Sequence, residues 1–369
     1  MDTPNSADQT VEMETTRRLT LGRREVLRRA SIGAAVLALG GAAPAAPALA
    51  RGGAFAVVKS RPKVVLGSVG GITCYAPLYT AYHKGFFAAE GIDVELYPES
   101  ATYDDIRALS SGTLGGEQNP AFAVFPGIEQ GADIRLVGGL QGGCLRLVIG
   151  KHSGIRKAAD FKGKAIGLPG SVLLPFFQLL LAENGVDPKH EVTWMTLDPS
   201  KLGAALDAGK VQAVGTLDPF GYLLIQQGKA VEVGNNLTGL YGNPAGLGPH
   251  RYCCGVVLSG KLVRDRPKVA AAVARAWMRG SRYAGRHIHE ASIIETSGKY
   301  VPLPQPTVEK ILHGLRFIPS ATRIEEDIRA TARSLKKMGL LRPSTDPARL
   351  AQKTYANVFQ LAGEPVPTF

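Results

Sequence analysis

The sequence predicts an α/β protein built as two lobes, and three observations carry that reading. From Lys63 onward, short β-branched or apolar runs alternate with longer stretches of helical periodicity, the pattern of strands joined by crossover helices into a mainly parallel sheet. The pattern restarts near Gly163, giving two halves of similar size and grammar without a residue-level repeat. At 369 residues, 45% hydrophobic and 20% charged, the chain is long enough to bury two cores and too apolar for wholesale disorder.

In the first half, residues 64–69 read as a strand, 75–90 as a helix and 91–97 as a second strand after a glycine stop. Gly85 can end a helix in the left-handed conformation, leaving Phe86 and Phe87 to anchor the following strand. A short helix at 104–111, a strand end at 115–119, a helix at 120–130 and a strand at 134–137 complete a first lobe. A strand at 145–149 then leads into a strand at 163–168, which ends at Pro169-Gly170-Ser171 and opens a helix reaching residue 184. Strands at 192–197, 211–217 and 230–234 alternate with helices at 202–208 and 221–227. After a Gly/Pro-rich loop at 239–250, a strand at 253–258 and a helical stretch at 266–290 return the chain to the first lobe. The expected organisation is residues 1–50 as a leader, 51–149 as the first part of lobe 1, 150–250 as lobe 2, and 251–369 as the return to lobe 1 with C-terminal helices.

The first fifty residues have a different character. A polar stretch precedes Arg23-Arg24-Glu25-Val26-Leu27-Arg28, an Ala-rich apolar run follows, and Ala48-Leu49-Ala50 supplies a small-x-small cleavage site. The order is that of a twin-arginine export signal, with Gly22 in place of the usual Ser or Thr; an Arg-rich general secretory signal is the alternative. Processing is expected near Arg51, with the mature protein in the periplasm. No cysteine precedes Cys74 to carry a lipid, and no later run offers about 18 consecutive apolar residues for a membrane span.

The net charge is +12, and loss of residues 1–50 removes six Arg and five acids, leaving +11. The charges are scattered without a Lys/Arg block of five, so nucleic acid is not an expected partner. Cys74, Cys144, Cys253 and Cys254 form no C-x-x-C pair and have no His at zinc-finger spacing, so spacing indicates no metal site and no cofactor. A Cys74–Cys144 bridge is allowed, and buried free thiols are the favoured reading. No G-x-S-x-G, H-E-x-x-H or P-loop motif occurs, so nothing points to catalysis.

Tyr75-Ala76-Pro77-Leu78-Tyr79 and the run from Lys84-Gly85-Phe86-Phe87 to Asp93-Val94-Glu95 resemble the opening of ABC-transporter solute-binding proteins of the nitrate/sulfonate/taurine class, to which thiamine-pyrimidine-precursor proteins are also similar. Asp160-Phe161-Lys162-Gly163-Lys164, Leu206-Asp207-Ala208-Gly209-Lys210 and Asp218-Pro219 follow in the family's order. The resemblance covers roughly residues 64–290. It implies a type II periplasmic-binding-protein fold, two lobes with a ligand cleft between them, and a monomer that delivers a small solute to an inner-membrane permease and its ATPase.

Ligands of open α/β sheets meet the loops at the carboxyl ends of strands. Five such loops and the second crossover supply the candidates. In the first loop, Thr73 can hydrogen-bond a solute, Cys74 lies beside it and Tyr75 can pack a ligand face, or the segment is a helix cap with a core tyrosine. Gln118 and Asn119 can contact a polar solute, or sit solvated in a turn. Cys144 borders a glycine pair that also reads as a hinge. Gly170 and Ser171 can form an anion cradle, or Ser171 simply caps a helix. Asp218 can hold a cationic group, or cap the next helix. Tyr252 can close over the ligand. These loops contain no Lys or Arg, which favours neutral hydrogen bonding and stacking around an organic solute, while the net charge favours an anion such as a sulfonate. Two alternatives remain open: a binding module serving a sensor, and an enzyme similar to the pyrimidine-precursor synthases, for whose Cys-rich cluster Cys253-Cys254 is too short.

Overall fold

The computed structural model describes residues 60–99, 106–243 and 252–369. The expected leader with its cleavage motif, the first two residues of the helix expected at 104–111 and most of the loop at 239–250 lie outside the described residues.

The strands, in chain order, are β1 (Lys63–Val69), β2 (Asp93–Glu99), β3 (Gly116–Asn119), β4 (Ile134–Gly142), β5 (Leu145–Gly150), β6 (Lys164–Leu168), β7 (Val192–Thr196), β8 (Ala213–Leu217), β9 (Ala230–Asn235), β10 (Gly239–Leu240), β11 (Cys254–Ser259) and β12 (Arg316–Ser320). They form two six-stranded sheets, ordered β12-β4-β11-β3-β1-β2 and β10-β9-β5-β8-β6-β7. Each sheet centres one lobe. The chain crosses from the first to the second between β4 and β5 and returns before β11. The strand at 145–150, expected to close the first lobe, therefore pairs with β8 and β9 in the second sheet, and the crossover falls at residues 143–144 rather than at 149–150.

The sheets are mixed, not mainly parallel. β1 pairs in parallel with β2 and β3, and β6 with β7 and β8. β11 runs antiparallel to β3 and β4, and β5 antiparallel to β8 and β9. β12 also runs antiparallel to β4, and β10 to β9; for β5 and β11 the cause is the double crossover. A strand entered directly from the other lobe starts at the shared end and runs away from it, opposite to strands fed by helices. As a result, the C-terminal ends of β3, β4 and β8 meet the N-terminal ends of β5 and β11 in one seam.

Local chemistry explains the elements around that seam. Gly85 adopts φ +69°, ends the helix Ala76–His83 and starts the turn Phe86–Ala89, as its sequence position predicts. Phe87 is buried with its ring 6.4 Å from Trp277 of the helix Pro267–Arg286. That helix packs on Ala76–His83 through Gly280, where a Cβ would stand 2.2 Å from the Pro77 carbonyl oxygen. The helical stretch expected at 266–290 breaks at His287 and resumes as Ile288–Ser297. Most of the core forms one continuous cluster through both lobes. A satellite of Val148, Val214, Leu202 and Leu224 covers the other face of the second sheet. No helix among the described residues is long and apolar enough to cross a membrane.

Candidate functional site

Where the two sheets meet, several polar side chains are buried together. Gln118 and Asn119 end β3 and Gln141 lies near the end of β4, all nearly inaccessible. Thr73, Cys74 and Tyr75 form one buried 3-10 turn after β1. Gln118 Nε2 and Gln141 Nε2 both donate to the Cys74 carbonyl, at 2.7 and 2.5 Å. The Tyr75 hydroxyl donates to the Gln118 carbonyl at 3.3 Å, and Asn119 Nδ2 donates to the Glu117 carboxylate. The Thr73 N–H reaches the Asp218 carbonyl at 3.4 Å, and the Asp218 N–H donates to the Cys144 carbonyl at 3.0 Å. Loops of both lobes are thereby tied into one network.

The first crossover is held by shape and by one side chain. Gly143 has φ +108°, and a Cβ there would approach the Gly314 carbonyl oxygen to 2.8 Å, so only glycine fits. Asn236 Oδ1 accepts from the N–H groups of Gly143 and Leu145 at 2.9 and 3.3 Å.

Arg146 is the one cation in this network. On β5 it shares a face with Val148, opposite Leu145 and Leu147, and Gly221 leaves space for it: a Cβ at that position would lie 3.0 Å from Arg146 Cδ. Its Nε donates to both Asp218 oxygens at 2.8 and 2.9 Å, and Nη1 pairs with Glu232. The Tyr222 N–H adds a bond to Asp218 at 3.2 Å. Burial pushes the fully buried Asp218 carboxyl up to about 6 against the pull of Arg146. Burial also works against the guanidinium, yet Asp218 and Glu232 together hold it firmly protonated. Arg146 has two anionic partners to offset its desolvation and Asp218 has one cation, so the pairing favours the guanidinium more than the carboxylate.

Four thiols complete the seam. Cys74, Cys144, Cys253 and Cys254 are all buried and none is in a disulfide. The sulfurs of Cys74, Cys144 and Cys254 lie within 4.8 Å of one another, and the Cys144 thiol is 2.7 Å from Cys253 Sγ. Hydrogen bonds from Cys144 and Cys254 bring the Cys74 thiol down to about 6. Burial opposes ionisation of Cys253, but hydrogen bonds from Cys144 and Cys254 hold it well below the usual thiol range. Burial drives Cys144 and Cys254 well up. Spacing along the chain could not show this proximity, because the thiols come from three separate segments. Beside Cys74, Glu295 is fully buried with neither carboxylate oxygen hydrogen-bonded, and burial drives its carboxyl well above the ordinary range.

A family model described as NMT1/THI5-like matches residues 72–291, which span both lobes and both crossovers. The chain belongs to the NMT1/THI5-like family. This family member also matches solved structures. One is the periplasmic nitrate-binding protein NrtA of Synechocystis PCC 6803, at 16% identity and TM-score 0.65, over 83% of this chain and 91% of that one. Another is the alkanesulfonate-binding protein SsuA of Xanthomonas axonopodis pv. citri, at 19% identity and TM-score 0.63, over 78% and 97%. The desulfurization enzyme DSZB has the same fold, at 16% identity and TM-score 0.54, over 82% and 99%. The fold is that of the periplasmic binding proteins. A curated relative, the bicarbonate transport ATP-binding protein CmpC of Synechocystis sp. (strain ATCC 27184 / PCC 6803 / Kazusa), is 27% identical over 192 residues, which are 47% of this chain but only 29% of that protein.

Of the residues singled out from sequence, Thr73, Cys74, Tyr75, Gln118, Cys144 and Asp218 share the network of this NMT1/THI5-like seam, and Asn119 adjoins it. Gly170 and Ser171 do not. Gly170 is half-buried in extended backbone, Ser171 is exposed, and a short 3-10 turn, Ser171–Leu173, separates them from the helix Leu174–Ala182 with no side-chain cap. Tyr252 is buried, its ring against Gly139 and beside the small cavity at the seam, its hydroxyl donating to the Ile318 carbonyl of lobe 1 at 2.8 Å. Asp218 does hold a cationic group, the protein's own Arg146. Sequence reasoning missed Arg146, Glu232, Gln141 and Glu295. A charge placed mid-strand among Leu145, Leu147 and Val148 was the available signal for Arg146, since such a charge requires a buried partner.

The seam is closed. The cavity lined by Phe122, Phe176, Asn236, Tyr252 and Asp327 measures about 10 Å³, at the limit for one water. Larger hollows, such as the 670 Å³ groove beside Tyr82 and Tyr300, open on the outer edge of the first sheet, away from the crossovers.

Proposed function

We propose that the chain is the exported solute-binding receptor of an ABC importer, working as a monomer that closes its lobes on a small solute and presents it to an inner-membrane permease and its ATPase. The observation that carries this reading is the polarity of the seam. Among the described residues, Thr73 Oγ1, Gln118 Oε1, Asn119 Oδ1, Gln141 Oε1 and Thr216 Oγ1 are buried without a hydrogen-bond partner. Each such atom costs about 1–3 kcal/mol, a cost that a polar solute accepted between the lobes would offset. Four of the atoms belong to lobe 1 and one, Thr216 Oγ1 on β8 opposite Arg146, to lobe 2, so a ligand reaching all of them would stabilise the closed form selectively.

The same atoms bear on solute class. Arg146 is committed to Asp218 and Glu232, leaving amides and hydroxyls to meet the solute, which suits a polar organic compound better than a bare inorganic anion. Sulfonates are the first class to examine, given the alkanesulfonate- and nitrate-binding neighbours. Arg23-Arg24 and Ala48-Leu49-Ala50 support export of the mature protein to the periplasm. Catalysis is not part of the proposal.

The test is a thermal-shift screen of the processed protein against alkanesulfonates, taurine, nitrate, bicarbonate and pyrimidine or flavin precursors, with turnover followed in parallel. One class at 100 times its Kd adds about 2.7 kcal/mol and is recovered unchanged. Silence from every class, or conversion of a bound compound, overturns the proposal.

A further inference from the structure

We propose that Cys74, Cys144, Cys253 and Cys254 form a binding site for one thiophilic d10 cation, Zn²⁺ or Cu⁺, at the junction of the two crossovers. Buried cysteines commonly serve as small apolar side chains. That role accounts for one or two thiols, but not for four converging from the loop after β1, the first crossover and the second. Thiolate sulfurs bind zinc at about 2.3 Å, which sets them roughly 3.8–4.0 Å apart around a tetrahedral or trigonal ion. Three of the sulfurs already lie within 4.8 Å of one another, so sub-ångström shifts complete the geometry. Cys253, whose sulfur is 2.7 Å from that of Cys144, lies outside this group of three and becomes a fourth ligand only if the two sulfurs separate by about 1 Å. The donor set is all sulfur, which selects soft cations over magnesium, calcium or manganese.

Binding is an exchange without redox change: the cation enters, three or four sulfur–metal bonds form, and each ligand still present as a thiol releases its S–H proton to solvent. Cys74 follows β1 of the first lobe, while Cys144 and Cys253-Cys254 are the chain's two passages between lobes. An ion on all of them joins loop and crossovers covalently enough to resist lobe opening. The inference stands apart from the receptor reading, because metal uptake is measured without any organic solute.

The experiment uses the processed full chain, reduced and stripped of metal under anaerobic conditions. Zn²⁺ and Cu⁺ are titrated separately against colorimetric chelators, with native mass spectrometry for stoichiometry. Co²⁺ is added to the wild type to report ligand type optically. The expected result is one equivalent of Zn²⁺ or Cu⁺ retained against the chelator, thiolate-to-cobalt charge-transfer bands, and a loss of affinity of at least 100-fold in Cys74→Ser and Cys254→Ser variants whose circular dichroism matches the wild type. The cobalt spectrum keeps the test valid if a variant does not fold. The proposal is overturned if the reduced protein retains neither ion, if cobalt bands lack sulfur charge transfer, or if the isolated protein carries a Cys144–Cys253 disulfide and takes up no metal once reduced.

Discussion

Replacing Asp218 with Ala probes the seam most sharply. The substitution strips Arg146 of a carboxylate with no solvent exposure while leaving Glu232 in place. Removing one member of a buried pair costs about 3–5 kcal/mol, because the survivor stays desolvated and uncompensated. Glu232 is a quarter exposed and still pairs with Nη1, which places the expected loss near the lower end, about 3 kcal/mol. For a folded body of about 310 residues, an unfolding entropy near 2 cal/mol/K per residue converts this to a Tm drop of about 5 °C. Arg146→Met alone should also destabilise. The double variant Arg146→Met/Asp218→Ala should be more stable than either single variant, because no unpaired buried charge remains and Glu232 keeps the Asn235 amide at 2.6 Å. Thermal unfolding followed by circular dichroism measures all three. A drop below 1 °C for Asp218→Ala, or a double variant as unstable as the sum of the singles, refutes the reasoning.

Glu295→Gln should remove a pH dependence. The folded carboxyl lies well above its unfolded value, so its contribution is fully present below the unfolded value of about 4.3 and is lost as pH rises toward the folded value. The Tm of the variant should exceed that of the wild type increasingly as pH rises through this window; parallel profiles would contradict the assignment. Gly280→Val should destabilise by about 1–3 kcal/mol through overpacking between the helices Ala76–His83 and Pro267–Arg286, seen as a lower urea midpoint, and an unchanged midpoint would disprove the close approach. Tyr252→Phe should cost about 1 kcal/mol through the lost bond to Ile318 and leave solute affinity unchanged by calorimetry, whereas weakened binding would put the Tyr252 hydroxyl in contact with the solute. Ser171→Ala should alter neither stability nor solute affinity, and a tenfold loss of affinity would restore the anion cradle.

What was legible in the sequence was local. The strand runs, the left-handed Gly85 and the loops 73–75, 118–119 and 218 follow from periodicity, glycine chemistry and the rule that ligands meet strand ends. Ser171 lies outside the network for a reason the sequence does not carry: a helix start looks alike whether or not its loop turns toward the other lobe. The mixed sheet direction, the Arg146–Asp218–Glu232 group and the four thiols depend on which distant segments the double crossover brings together. Cys144 and Cys253 touch across 109 positions, and no spacing rule reaches that far.

The central claim is that a solute is held at the seam between the sheets. Amide hydrogen exchange, measured with and without the solute that raises the Tm most, tests it directly. Added protection is expected at residues 73–75, 118–119, 141–145 and 217–218, from both lobes together. Protection confined to one lobe, or centred on residues 170–173 with the seam unchanged, would contradict it.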